Sequence, residues 1–349
     1  MRIRLLPLLL AAAVAGGAVV SSQSSTDGRL LVLSKGNLTL SVVDPATLQV
    51  LGTIPSGPDP HEVAATPDGR KAYISNYGTG RGGFNTLTIA DIVNFKPLGE
   101  VDLGPLRGPH DVVEAGGKIY FTAEVAKAIG RVDPATDKVD WALGTGQDIS
   151  HMVVVAPDLR RMFTVDVQSA TATIIERAAG RAGRFAPAAD DDWTVTSVKV
   201  GESSGDFEGF DVSPDGRELW TAARTGQIAI VDTENKTLKQ TLDAGATGAN
   251  RVKFTPDGKH VLVSLLSGGR RGGPAPTGNI IVFDAASRAE VKRIDAGGGV
   301  GGILMQPDGA RAYGSSRAGV VVIDLQTFEV VGRIDAGPNV DGLAWTAAP

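Results

Sequence analysis

The sequence of 349 residues contains no cysteine. Disulfides and lipid attachment through an N-terminal cysteine are therefore excluded, and stability cannot depend on the redox state of thiols. Long amphipathic helical stretches are also missing, whereas 45 glycines and 19 prolines are present. A chain so rich in these two residues is expected to contain many turns.

Only one long apolar run is present, at residues 5–20, and no other stretch is apolar enough to span a bilayer. Arg2 and Arg4 precede this run, and small residues follow it at 21–25. Because the run is short for a membrane span of about 20 residues, we interpret residues 1–25 as a cleaved signal peptide. An uncleaved anchor is the alternative. We expect a periplasmic or secreted protein, with no membrane span after removal of the signal.

The formal net charge is −5, and loss of residues 1–25 removes two further arginines. Nucleic-acid binding requires cationic surface to neutralise phosphates. An acidic chain of this kind is therefore not expected to bind nucleic acid.

A Pro-Asp-Gly turn recurs along the chain. Proline presets the backbone of the first turn position and glycine supplies the positive φ of a later one, so each copy predicts a hairpin turn. A degenerate copy stands at 157–159 and a shortened Gly-Gly copy at 116–117. The complete copies are at 67–69, 214–216, 256–258 and 307–309.

Each turn lies within a repeat of about 40 residues that predicts four antiparallel strands. The third strand ends in Asp, as at Asp232, and the fourth ends in Gly, as at Gly245. The predicted first strands start at residues 61, 110, 151, 208, 250, 301 and 341. The last of these has no strands after it, whereas residues 30–57 supply three strands without a first. We therefore predict an all-β fold over residues 28–349. It is a single seven-bladed β-propeller whose C-terminal strand completes the N-terminal blade.

The Pro-Asp-Gly hairpins, the Val-Asp-Pro-Ala-Thr turn at 43–47 and the Asp-Ala-Gly strand endings resemble the YVTN-type, YncE-like propellers, an exported family. The tetrapeptide that gives the family its name is degenerate here, as residues 73–76, Tyr-Ile-Ser-Asn. The resemblance covers residues 28–349. It implies a seven-bladed propeller and little about chemistry, because one propeller scaffold hosts many functions.

The first residue of each predicted inner strand is expected at the channel mouth. Three of the four histidines of the chain fall in this ring, in consecutive blades. We expect His61, His110, His151 and Glu208 to hold a metal such as zinc or copper, with Asn250 and Asp341 as further ligand-binding residues. The full ring is His61, His110, His151, Glu208, Asn250, Gly301 and Asp341.

A histidine-lined mouth is similar to the copper site of nitrous oxide reductase, although that enzyme uses more histidines. The carboxylate and amide residues of the ring, Glu208, Asn250 and Asp341, are similar to the metal ring of gluconolactonase-type propellers. Those propellers have six blades. The next residues, Glu62 and Asp111, could orient the histidine rings as hydrogen-bond acceptors. The alternative is that the ring is structural and that its side chains bind the backbone of neighbouring blades.

Loops between the second and third strands return to the ring face, and most carry a cation. Such a basic face in an acidic protein is expected to attract an anionic small molecule; ordinary solvated loops are the alternative. Two of these loops are lengthened and carry Arg81, Arg270 and Arg271, which we expect to bind the anion. The other cations are Lys35, Lys127, Arg224 and Arg317.

Three functions remain open from the sequence. The first is an exported binding or scaffold protein that holds a metal or an anionic small molecule at the mouth. The second is a lactonase- or hydrolase-type enzyme, in which a metal polarises a carbonyl and activates water, or a histidine acts as general base. The third is a docking platform for a protein partner, without a small ligand.

Overall fold

The computed structural model describes residues 28–78, 83–178, 192–202, 206–266 and 278–349. The predicted signal peptide lies outside these residues. The described part contains strands and turns but no α-helix, so it offers no helix that could cross a membrane. The strands are β1 (Gly28–Ser34), β2 (Thr39–Val43), β3 (Val50–Pro55), β4 (Pro60–Ala65), β5 (Lys71–Asn76), β6 (Thr86–Asp91), β7 (Lys96–Asp102), β8 (Pro109–Ala115), β9 (Lys118–Ala123), β10 (Ala128–Asp133), β11 (Lys138–Gly144), β12 (Ser150–Val155), β13 (Arg161–Asp166), β14 (Thr171–Arg177), β15 (Trp193–Lys199), β16 (Phe207–Val212), β17 (Glu218–Ala223), β18 (Gln227–Asp232), β19 (Thr237–Asp243), β20 (Ala249–Phe254), β21 (His260–Leu265), β22 (Ile280–Asp284), β23 (Glu290–Ile294), β24 (Val300–Met305), β25 (Arg311–Ser316), β26 (Gly319–Asp324), β27 (Glu329–Ile334) and β28 (Val340–Ala347).

These strands form seven four-stranded antiparallel sheets, which are the blades of a propeller. Blade one has the order β28-β1-β2-β3, and each later blade has four consecutive strands, from β4-β5-β6-β7 to β24-β25-β26-β27. The predicted all-β, seven-bladed fold is confirmed. The predicted closure is also confirmed, because β28 pairs antiparallel to β1, with Trp345 opposite Leu30.

The apolar core lies between the blades. Each of its seven clusters takes buried residues from two neighbouring blades, and the last cluster joins blade seven to blade one. At one such interface the buried Trp220 of blade five packs edge-on against Phe254 of blade six, with ring centroids 5.9 Å apart. A four-stranded sheet cannot cover its own two apolar faces, so burial between neighbours drives the ring to close.

The Pro-Asp-Gly turns adopt the predicted backbone. Gly69 has φ 68° and Gly309 has φ 73°, in the region that glycine enters without a steric cost. In the degenerate copy, Leu159 occupies the same position with φ 56°. A leucine there is strained, because its Cβ crowds the backbone in the left-handed region.

The first strands of the blades contact one another around the axis. Their approach is so close that a Cβ on Gly209 would lie 2.3 Å from the backbone oxygen of Asn250 in the next blade. Hydroxyl groups on the second strands link the blades at the same level. The Ser75 hydroxyl accepts a hydrogen bond from Glu62 N, at 3.0 Å, and donates one to the His110 carbonyl, at 2.7 Å.

Candidate functional site at the channel mouth

All seven predicted ring residues occupy equivalent places, each at the second position of the innermost strand of its blade. The strands start one residue earlier than the sequence pattern indicates, because a backbone pair precedes each ring residue; Pro60 pairs with Asn76, for example. The sequence alignment of the blades therefore has the correct register at the mouth.

The three ring histidines lie in a row across blades two, three and four. The ring centroids of His61 and His110 are 5.0 Å apart, and those of His110 and His151 are 3.7 Å apart. Tyr77 packs against the first two, at 4.6 Å from His61 and 5.1 Å from His110. One side of the mouth is thus lined by adjoining imidazole and phenol rings.

Glu124 joins this row, and sequence reasoning missed it. Its Oε1 atom lies 2.5 Å from His151 Nδ1, and its Oε2 atom accepts a hydrogen bond of 2.5 Å from the Tyr77 hydroxyl. The carboxylate is buried, with 5% of the residue exposed. Glu124 therefore fixes His151 from one side while Tyr77 fixes Glu124.

Glu124 belongs to a second ring, formed by the residue that follows the second strand of each blade. This ring surrounds the first one and supplies its partners. Aligning the blades at the end of the second strand would have found it. Its members are Lys35, Tyr77, Glu124, Val167, Arg224, Leu266 and Arg317.

Burial keeps two of the three ring histidines neutral at neutral pH. It lowers the pKa of His61, and Lys35 adds to that effect although Asp341 opposes it. It lowers the pKa of His110 well below the usual value, with His151 and His61 contributing through their charge. His110 is 5% exposed, and its Nδ1 atom has no hydrogen-bond partner among the described residues.

Lys35 contacts the ring nitrogens of His61, at the other end of the histidine row. Its Nζ atom lies 2.7 Å from Nε2 and 2.9 Å from Nδ1 of the ring. The nearer nitrogen, Nε2, can accept a hydrogen bond from the ammonium, whereas Nδ1 also lies 3.2 Å from the Asp59 carbonyl. Lys35 also contacts the carboxylates of Asp59, at 3.2 Å, and Asp341, at 3.5 Å.

Glu208 and Asn250, in blades five and six, form hydrogen bonds with other groups of the protein. Arg224 donates to both oxygens of Glu208, from Nε at 2.9 Å and from a terminal nitrogen at 2.5 Å. Burial acts to raise the pKa of Glu208, but Arg224, together with His151 and Arg251, outweighs it and the pKa is lowered. The Asn250 amide donates to the Gly301 carbonyl at 3.1 Å. Its Oδ1 atom is buried without a partner in the described part of the chain.

A basic cavity of about 580 Å³ opens beside blades six, seven and one. Its walls include four cations and one carboxylate, together with the glycine segment 297–299. The cavity is therefore suited to an anion. The four cations are Lys35, Arg224, Arg317 and Arg333, and the carboxylate is Asp341.

Three of these cations are engaged within the protein. Arg333, for example, donates to the Ala296 carbonyl at 2.8 Å. By contrast, the exposed guanidinium of Arg317 has no hydrogen-bond or ion-pair partner in the described residues. Arg317 is thus available to an incoming anion.

Below the mouth, Arg251 of blade six reaches across the channel to Glu62 of blade two and donates to its carboxylate. Asp111, the other residue expected to orient a histidine, accepts a 2.8 Å hydrogen bond from Val153 N instead. Burial raises the pKa of Glu62 to about 8, although Arg251 opposes the shift. Burial also raises the pKa of Asp111.

A chamber of about 540 Å³ adjoins the Arg251–Glu62 contact. Arg251, Glu62 and Asp111 line that chamber, together with apolar residues of the inner strands.

The remaining predicted ligand-binding residues, Arg81, Arg270 and Arg271, lie outside the described residues. Lys127 is described and forms an ion pair with Asp148 at the surface. In blade four, Asp166 ends β13 and is buried among hydroxyl groups, accepting 2.6 Å hydrogen bonds from Ser150 and Thr173.

Comparisons with known proteins support the fold. No protein-family model matches the sequence, and no curated protein matches it. Solved structures do match.

The periplasmic gluconolactonase PpgL of Pseudomonas aeruginosa is 19% identical. The match covers 92% of this chain and 99% of that one, with a TM-score of 0.64. A putative 6-phosphogluconolactonase of Bacteroides uniformis is 14% identical over 92% of this chain and all of its own, with a TM-score of 0.67. The dihydro-heme d1 dehydrogenase NirN is 17% identical over 90% of this chain and 64% of that one, with a TM-score of 0.59. At such identities the likeness establishes a common propeller fold.

Proposed function

We propose that the protein is an exported propeller that binds a small anionic molecule at the channel mouth. The observation that carries this proposal is the cavity of about 580 Å³ with four cations and one carboxylate in its walls. The unengaged guanidinium of Arg317 is its strongest donor, because a carboxylate or phosphate can accept two parallel hydrogen bonds from it.

Further predicted ligand-binding residues fit the same role. Asp341 lies in the cavity wall and offers an acceptor to hydroxyl groups of a ligand. Asn250, with an unpartnered oxygen, lies in the same ring. Arg81, Arg270 and Arg271 are proposed to extend the basic face from the two lengthened loops.

Binding is tested by calorimetric titration of the full chain with gluconate and 6-phosphogluconate, with neutral glucose as comparison. We expect the anions to bind and glucose to bind much more weakly. Arg317→Gln should weaken anion binding by about 10- to 100-fold, which corresponds to the free energy that one charge-assisted hydrogen bond contributes. Arg70→Gln is a matched control, because Arg70 is an exposed arginine beside a Pro-Asp-Gly turn on the opposite face. Equal affinities of the two variants, or no anion binding by the unaltered protein, would refute the proposal.

A second candidate function is hydrolysis of an anionic lactone. It is favoured by the contact between Glu124 and His151, which resembles the way a carboxylate fixes a histidine general base. With Nδ1–H bound to Glu124, Nε2 of His151 would take a proton from water as the water oxygen attacks the lactone carbonyl. The ring oxygen would leave with a proton. The gluconolactonase names of two structural neighbours are consistent with this reaction.

The enzymatic alternative is tested by following glucono-δ-lactone above its spontaneous hydrolysis. We expect acceleration by the unaltered protein and a loss of about 100-fold or more in His151→Ala. An unchanged rate in that variant would exclude His151 as the base. No acceleration at all would leave anion binding as the function.

Export and family membership complete the proposal. The predicted leader at residues 1–25 and the periplasmic neighbour support a periplasmic or secreted location, and N-terminal sequencing of protein from a cell fraction would test it. Membership of the YVTN-type, YncE-like family stays a prediction supported by the repeated turns.

A further inference from the structure

We propose that His110, Glu124 and His151 form a site for a divalent transition-metal ion, with zinc as the expected occupant. The inference is independent of anion binding, since none of the three residues belongs to the basic cavity. It changes the donor set that the ring alignment predicts, because Glu124 replaces Glu208 and His61 is not required.

The first support is geometric. One possible ligand atom from each of the three residues lies within 4.8 Å of the others, so one ion can reach all three with small side-chain movements. Two imidazole nitrogens and one carboxylate oxygen are a common donor set for zinc. Such a set disfavours magnesium and calcium, which prefer oxygen donors.

The second support is the environment of the donors. His110 is 95% buried, being 5% exposed, yet its Nδ1 atom lacks a partner among the described residues. Buried polar atoms are almost always hydrogen-bonded, so an atom without a protein partner in this cluster is available as a metal ligand. Tyr77 already holds the outer oxygen of Glu124, as outer partners of metal ligands commonly do.

The other predicted metal ligands are less suitable. Both oxygens of Glu208 accept hydrogen bonds from Arg224. His61 contacts the Lys35 ammonium, which would repel a metal ion at the same nitrogen. A divalent ion is therefore expected on the side of the row that is remote from Lys35.

The test uses the full chain, stripped with a chelator and titrated with Zn²⁺ and Co²⁺. We expect one equivalent to bind in the micromolar range or tighter. Bound Co²⁺ should show visible absorption bands that report nitrogen and oxygen ligation. Absence of Zn²⁺ and Co²⁺ binding would overturn the proposal.

Variants then locate the ion. Glu124→Gln keeps the shape of the side chain and should weaken zinc binding by about 100-fold or more, while Tyr77→Phe should weaken it by about 10- to 100-fold. His260→Ala is a control, since His260 starts β21, at the opposite end of that strand from the second ring, and packs on Phe328. Zinc binding that survives Glu124→Gln but is lost in Glu208→Gln would overturn the assignment and restore the donor set predicted from the ring.

Discussion

Removing Arg251 should destabilise the propeller, and the cost should rise at alkaline pH. Arg251 is 8% exposed and faces four carboxyl groups, from Glu62, Asp341, Asp111 and Glu208. Burial acts to lower the pKa of Arg251, but these groups outweigh it and raise the pKa. The Arg251→Met variant keeps most of the buried volume and removes the shared cation.

The magnitude follows from the protonation of Glu62. Removing one partner of a buried ion pair costs about 3–5 kcal/mol. At pH 7 we expect the lower end, about 3 kcal/mol, because Glu62, with a pKa of about 8, is largely protonated, whereas Glu208, whose pKa is lowered, stays ionised and loses a nearby cation. Above pH 8, Glu62 loses its proton beside Arg251 in the unaltered protein. In the variant this ionisation costs more free energy, because no cation offsets the buried negative charge. The cost of the substitution should therefore grow by up to about 1.4 kcal/mol per pH unit.

The assay is urea unfolding followed by tryptophan fluorescence at pH 7 and pH 9. Lys253→Met is the matched control on the same strand. Lys253 has only a 3.7 Å contact with Asp211, which predicts a cost below about 1 kcal/mol. In a Glu62→Gln background the increase between pH 7 and pH 9 should disappear. A cost below 1 kcal/mol for Arg251→Met, or a cost that shrinks as the pH rises, would refute the reasoning.

Three further predictions concern the scaffold. Leu159→Gly should stabilise the protein by about 0.5–1 kcal/mol in thermal unfolding. It removes the strain of a leucine in the left-handed conformation, and this gain exceeds the loss that comes from the greater conformational entropy of glycine in the unfolded chain. Gly209→Ala should destabilise it by about 1–3 kcal/mol, since the new methyl group would lie 2.3 Å from the Asn250 oxygen. Asp324→Asn should be less stable than the unaltered protein at pH 7. The difference should vanish in acid, because backbone hydrogen bonds from the turn lower the pKa of Asp324 and its contribution is lost as pH falls through that lowered value.

Each of these has its own control. Leu159→Ala keeps a Cβ atom in the left-handed conformation, so it should not raise the thermal stability. Gly144→Ala adds a Cβ that meets nothing within 4 Å, so it should be nearly neutral. For Asp324→Asn, the contrary result is a stability difference that stays constant between pH 7 and pH 3.

The blades could be predicted from the sequence because their signals are local and repeated. A Pro-Asp-Gly turn specifies its own hairpin, and its four complete copies, together with the shortened copy at 116–117 and the degenerate copy at 157–159, align the inner strands of blades two to seven. For this reason His61, His110 and His151 could be assigned to one ring without any knowledge of distances. The closure of blade one followed from counting strands.

The partners of the ring could not be predicted in the same way. Glu124 contacts His151 from a neighbouring blade, and Arg251 contacts Glu62 across the channel. These pairs depend on how far each side chain reaches between blades, which the period of the sequence does not encode. Whether Glu208 pairs with Arg224 or with a metal is likewise decided by competition between nearby groups rather than by spacing.

The pairing of β28 with β1 also sets the order of folding. Trp345 lies opposite Leu30, so the contact that completes blade one joins the two ends of the described chain. During synthesis β1 keeps one bare edge until β28, the last described strand, has emerged, and bare apolar edges are prone to aggregate. Contacts between such distant residues also form slowly. The ring should therefore close late, and a chaperone that protects the early strands would raise the yield of folded protein more than one that acts after closure.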